Sequence, residues 1–173
     1  MTEVSYYKYQ PAASLRVTDE DAADFLQSQF SGDLRPLEVG RVVYGLWLDV
    51  KGKVMGDSRV LCLGEESFLV ISEQTPGATI QAQLERHIIA DDVIIDAAET
   101  GDAFTIIGKV DAAFWDILRV VLPQAGRFSE TEDFIVFPAR RGLESAFEVI
   151  CKHREAESRM LEQLKLFSLN AVG

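Results

Sequence analysis

Apolar residues along the chain switch between two spacings. Ala22, Phe25, Leu26 and Phe30 recur at helical intervals. Ahead of them Thr18, Asp19, Glu20 and Asp21 have the Thr-x-x-acid form of a capping box, so the pattern predicts a helix opening at Thr18 and stopping at Ser31-Gly32-Asp33. Three runs of strand type follow. Residues 41–50 and 53–63 form a hairpin turning at Lys51-Gly52, and SFLVIS at 67–72 comes after an acidic turn. Thr75 and Pro76 predict the next helix start, a capping hydroxyl and then a proline at the first helical position. Ile80, Leu84 and Ile88 make one face of that helix, and VIID at 93–96 reads as a short strand.

The second half repeats this rhythm. FTII at 104–107 is a strand, and Asp111 caps a helix whose buried side holds Phe114, Trp115, Leu118, Val121 and Leu122. FIVF at 134–137 and AFEVI at 146–150 are strands, and a helix over about 153–167 carries Ala156, Met160, Leu164 and Phe167 on one side. The last residues, SLNAVG, have the character of a further strand. Both halves are written strand–helix–strand–strand–helix, the first with an additional strand. Hairpins outnumber crossovers, so the expected class is α+β, with mostly antiparallel sheets and helices packed on them. The 173 residues are expected to form one domain, or two lobes of about 1–98 and 99–173.

Apolar residues make up 47% of the chain, enough for a sizeable core. No segment approaches the roughly 18–20 apolar residues of a membrane span. The start, MTEVSYYKYQ, lacks a signal-peptide pattern, and the two cysteines, Cys62 and Cys151, suit a reducing compartment. The expectation is a cytoplasmic protein. A net charge of −11 opposes binding to nucleic acid or an anionic membrane, while leaving room for a small anionic ligand at a local basic patch.

Several chemistries lack their residues. There is no phosphate-binding glycine loop and no Gly-x-Ser-x-Gly elbow. His87 has no cysteine or second histidine at ligand spacing. Cys151 and His153 are two apart where a strand hands over to a helix, and a Cys–His nucleophile needs more than adjacency. The acidic runs read as solvated turns and helix ends. What stands out is Asp57, an acidic residue partway along the second strand of an apolar hairpin. It is either a solvated residue opposite Lys53 or Arg59, or a carboxylate placed to meet a ligand.

The stretch ADFLQSQFSGDLRPLEVGRVVYGLWLDVKGKVMGDSRVL resembles the N-terminal signature of the glycine-cleavage T-protein and YgfZ superfamily. The matching residues are Asp21-Ala22, Phe25-Leu26-Gln27, Gln29, Ser31, Asp33, Leu37, Gly40, Tyr44, Gly52 and Asp57, and FLQSQFSGD is closer to the YgfZ branch. FTIIGKVDAAFWDIL and PARRGLESAFEVICKHREAESRMLEQL continue the resemblance, which spans about residues 15–170. It implies a tetrahydrofolate-binding scaffold. Asp57 corresponds to the aspartate near the pterin's reactive nitrogens, and Tyr44 to a tyrosine lining the pocket. Tyr44 and Trp47, three apart, should point to opposite faces of the strand, so one of them is core and the other a pocket wall. Arg140 and Arg141, with Lys51 and Lys53, are candidates for the folate glutamate carboxylates.

The departures define what to expect of function. The T-protein has paired aspartates after a Gly-Gly; here there is Gly52-Lys53 and a single aspartate preceded by Gly56. The Arg-Thr-Gly-Tyr-Thr-Gly-Glu stretch is reduced to Arg140-Arg141-Gly142-Leu143-Glu144, without its tyrosine. The YgfZ hallmark Lys-Gly-Cys-Tyr-x-Gly-Gln-Glu and the C-terminal β-barrel are absent, as in a short family member or a truncated product. Aminomethyl transfer is therefore not expected, and no catalytic or metal-binding residue is assigned. Two readings remain. One is a tetrahydrofolate-binding protein of the YgfZ type, accessory in one-carbon or iron–sulfur cluster metabolism. The other is a ligand-free interaction module that keeps the fold and assembles as a homodimer or with a partner protein.

Overall fold

The computed structural model describes residues 4–139 and 145–172. The first strand, β1 (Ser5–Tyr9), belongs to a sheet completed only by the second half of the chain. Two compact units result, one formed by Pro11–Ala98 and the other by the residues up to Gln10 together with those from Glu99 onward.

In the Pro11–Ala98 unit the order is β2 (Ala13–Thr18), α1 (Ala22–Gln29), β3 (Val42–Leu48), β4 (Val54–Gly64), β5 (Ser67–Ser72), α2 (Gly77–Glu85) and β6 (Ile94–Ala97). The strands form one antiparallel sheet in the order β3-β4-β5-β2-β6. Alternation decides its two faces. Leu15, Val17, Trp47, Val60, Cys62, Phe68 and Val70 pack with Phe25 and Leu26 of α1 and Ile80 and Leu84 of α2.

In the other unit follow β7 (Ala103–Ile107), α3 (Ala112–Ile117), β8 (Ser129–Glu130), β9 (Phe134–Pro138), β10 (Ala146–Cys151), α4 (Arg154–Leu166) and β11 (Asn170–Ala171). The sheet order is β11-β1-β7-β10-β9-β8, antiparallel except where β1 meets β11. Phe104, Ile106, Phe134, Val136 and Val149 pack against Phe114 and Trp115 of α3 and Ala156, Met160 and Leu164 of α4. Each unit thus runs strand–helix–three strands–helix–strand. Each also has the same spatial strand order, with β1 inserted between β7 and β11 in the second. The protein is α+β with mainly antiparallel sheets, as its pattern predicts.

The strands β1, β2 and β8 are not among the predicted elements, and the other differences lie at the helix ends. The Thr18 capping box does not form. Thr18 is the last residue of β2, paired with Ser67 and Ile94, because Ala13, Leu15 and Val17 alternate inward and carry the strand that far. The chain turns at Asp19, which has φ 95°, and α1 starts after Asp21. The Asp21 carboxylate accepts the Asp92 N–H at 2.8 Å instead of capping its own helix. Pro76 stands at the N-cap of α2 rather than at its first helical position, and the Thr75 hydroxyl is engaged elsewhere. Asp111 does cap α3, accepting the Ala113 N–H at 2.8 Å. That helix ends at Ile117, however, and Arg119 takes φ 56°. The reversal turns Val120 inward and leaves Val121 80% exposed, so the predicted buried run Val121-Leu122 does not extend the helix face.

Candidate functional site

The site begins with the β3–β4 hairpin. Its tip is held by Asp49, whose Oδ1 accepts the N–H groups of Lys51 and Lys53, each at 2.8 Å, while Gly52 supplies the positive φ of 77°. Five residues beyond the turn, Asp57 stands opposite Leu46. Leu46 directs its N–H to Ser31 Oγ (2.7 Å) and its carbonyl to the Ser31 N–H (3.0 Å). Antiparallel ladders alternate, so a residue facing away from its partner on one strand is matched by one facing away on the other. The Asp57 N–H accordingly points toward the β5 side. β5 has ended at Ser72, and Thr75 Oγ1 fills the vacant ladder position, accepting the Asp57 N–H at 3.2 Å. The Thr75 N–H in turn donates to Ser72 Oγ at 2.9 Å.

The carboxylate is held by the same hydroxyl and one more. Tyr44 Oη–H donates to Asp57 Oδ2 at 3.0 Å, and Thr75 Oγ1–H donates to Oδ1 at 3.4 Å. The Arg59 guanidinium lies over the Tyr44 ring, 5.7 Å from its centre, as a cation on a π face. Asp57 is therefore ordered by hydroxyls, not by an ion pair with Lys53 or Arg59. Each carboxylate oxygen has two lone pairs, so both retain acceptor capacity after these bonds. With Asp57 half-buried and Tyr44 40% exposed, that capacity is open to an incoming N–H.

The structure separates the predicted site residues. Tyr44 and Asp57 come together on one face of the hairpin. Trp47 lies on the other face, in the core: it is 1% exposed, its Nε1–H donates to Ser58 Oγ at 2.8 Å, and its ring packs 4.7 Å from that of Phe30. It offers no surface to a ligand in this position, because the strand alternation that exposes Tyr44 buries Trp47. Lys51 and Lys53 are exposed at the hairpin tip. Arg140 and Arg141 lie outside the described residues. Thr75 was missed as a site residue, since Thr-Pro reads first as a helix start. Its position beyond the end of β5 becomes visible only once the strand register is known.

A second polar cluster lies in the other unit. Glu148 in β10 is fully buried, and its Oε2 accepts from Thr105 Oγ1 (2.9 Å) on the adjacent β7 and from Tyr9 Oη (3.0 Å) on β1, one strand further. The acidic residue inside AFEVI was its only sequence signal, and Tyr9 sits on a strand that the pattern did not predict.

The remaining candidates resolve as structural groups. His87 Nδ1 lies 2.9 Å from the Gln83 carbonyl, one helical turn back. His153 caps α4, its Nδ1 accepting the Ala156 N–H at 3.2 Å while Nε2 lies 3.1 Å from Asp133. Cys151 is fully buried, and burial pushes its thiol up to about 12, with Glu157 and Asp102 adding in the same direction. That leaves it a neutral thiol, the opposite of an activated nucleophile. Among the described residues no group of three or more His, Cys, Asp or Glu is placed to hold a metal ion. No helix among them is long and apolar enough to cross a membrane.

Two antiparallel α+β units of like topology, one carrying a hydroxyl-held aspartate on its hairpin, define a fold of the T-protein type. The GCVT N-terminal domain model matches residues 1–109, and the chain belongs to that family. Among solved structures it is similar to glycine cleavage system aminomethyltransferase T from Bartonella henselae, with a TM-score of 0.83 and 18% identity. The match covers 99% of this chain and 48% of that one, so this chain spans about half of that protein's length. It is also similar to a chain of the heterotetrameric sarcosine oxidase from Corynebacterium sp. U-96, with a TM-score of 0.65 and 17% identity, over 98% of this chain and 88% of that one. No curated protein sequence matches.

Proposed function

We propose that this chain is a tetrahydrofolate-binding protein of the YgfZ type, accessory in one-carbon or iron–sulfur cluster metabolism in the cytoplasm. The observation that carries the reading is the Asp57 carboxylate, fixed by Tyr44 and Thr75 and open to further donors. Ring N–H groups of a reduced pterin are donors of that kind, and the Tyr44 ring beside them is a wall of the kind a flat heterocycle packs on. Lys51 and Lys53 at the hairpin tip are the cations proposed to meet the glutamate carboxylates. Bound tetrahydrofolate would supply a carrier for one-carbon units; the chain's part is to hold and orient it. Asp57 acts here as a fixed acceptor, and no residue is assigned to turnover. Titration of the protein with tetrahydrofolate or folinic acid, followed by tryptophan fluorescence or calorimetry, is expected to give saturable binding. Absence of binding up to millimolar ligand would contradict the reading.

A second reading has its own support. The sarcosine oxidase chain that this fold matches over 88% of its length belongs to a heterotetramer. An interaction subunit that assembles with itself or a partner chain is the alternative. It predicts a defined oligomer by light scattering and no folate binding.

A further inference from the structure

Gly56 and Thr75 are a coupled pair, and we infer that Thr75 is the positioning residue for Asp57, able to act only because position 56 carries no side chain. The inference rests on the reading of Asp57 as the ligand-facing carboxylate and extends it. A Cβ built on Gly56 would lie 2.3 Å from Thr75 Cγ2 and 2.6 Å from Thr75 Oγ1. Real Cβ atoms do not approach that closely, and Thr75 cannot easily withdraw. It is 9% exposed, its N–H is tied to Ser72 Oγ, and Pro76 after it starts α2. The space where an aspartate would stand in the paired-aspartate pattern is thus taken by the Thr75 side chain. From there one hydroxyl serves Asp57 twice, accepting its N–H and donating to Oδ1. Tyr44 holds the other carboxylate oxygen, so the two hydroxyls together fix the side-chain rotamer.

This pairing makes Thr75 the link between the start of α2 and the carboxylate. It also accounts for a single aspartate here: a second one at position 56 and a threonine at position 75 exclude each other by contact. The roles separate by chemistry. Thr75→Ser keeps the hydroxyl and loses only the methyl; Thr75→Val keeps the shape and loses both hydrogen bonds.

The test follows Asp57 itself by amide hydrogen exchange and, independently, tetrahydrofolate affinity. Thr75→Val is expected to speed exchange of the Asp57 amide by about tenfold or more, the loss of one hydrogen bond, with Thr75→Ser near wild type. Folate affinity should fall about fivefold in Thr75→Val and return in Thr75→Ser, a loss on the scale of one hydrogen bond. Gly56→Ala should lower the melting temperature by roughly 5 °C, and adding Thr75→Ala should recover most of that loss. Unchanged Asp57 exchange in Thr75→Val, or no recovery in the double variant, would overturn the inference whatever folate does. If Asp57→Ala leaves folate binding intact while the exchange result holds, the ligand reading fails and the Gly56–Thr75 coupling stands.

Discussion

The residue that matters most here is Asp57, half-buried on the same hairpin face as the exposed Tyr44. Asp57 is ordered by two hydroxyls, and its carboxylate oxygens keep part of their acceptor capacity after those bonds. Tyr44→Phe removes one of the two and is expected to weaken tetrahydrofolate binding about fivefold while leaving the fold intact, on the scale of one such hydrogen bond. Affinity and melting temperature measured on the same variant separate the two effects. Cys151 yields a prediction with a defined pH window. Its thiol ionises near its ordinary 9.0 when unfolded and only at about 12 when folded. A raised folded value means that the stabilisation is complete below pH 9 and is lost as pH rises toward 12. Denaturant unfolding between pH 8 and pH 11 should show wild type losing stability more steeply than Cys151→Ala. Parallel pH profiles would contradict the buried thiol.

At the scale of elements, strands were legible where apolar alternation was long and helix ends were not. β4, β5, β9 and β10 follow from runs of Val, Ile, Leu and Phe, and α2 and α4 from their three- and four-residue spacing. β1 was missed because SYYKY alternates aromatic with polar weakly and owes its strand form to pairing with β7 and β11, nearly a hundred residues and more away. The Thr18 cap failed for a related reason: tertiary pairing of β2 outcompeted a local motif. The placing of Asp57 and Tyr44 on one face of one hairpin was legible because it is a local relation, diagonal across two paired strands. Thr75 was not, since its role depends on where β5 stops. The local signals that did hold carry ordinary magnitudes. Asp111→Ala removes a cap and should cost about 1 kcal/mol, read as a shift in denaturant midpoint with Phe114 and Trp115 still buried. A change below a few tenths of that would mean that the cap is not formed in solution.

At the scale of the molecule, each unit has one sheet with helices packed on a single apolar cluster, and the two share a strand order. The second sheet depends on β1, which sits between β7 and β11. Deleting residues 1–10 should leave β11 without its partner and expose the β7 edge. The expected result is faster amide exchange across β7 and a more aggregation-prone protein. Unchanged protection of β7 would argue against the register. The family shown by residues 1–109 and the two structural likenesses establish the scaffold; the proposed folate site rests on the hairpin face alone.

The central claim, that Asp57 is a ligand-facing carboxylate, is tested most directly by calorimetric titration of tetrahydrofolate into wild type and Asp57→Ala. The account predicts saturable binding to wild type and a loss of at least about tenfold in the variant, about 1.4 kcal/mol, with the fold unchanged by circular dichroism. Equal affinity in the two proteins would contradict it, and the aspartate would then be a structural residue closing the end of a hairpin.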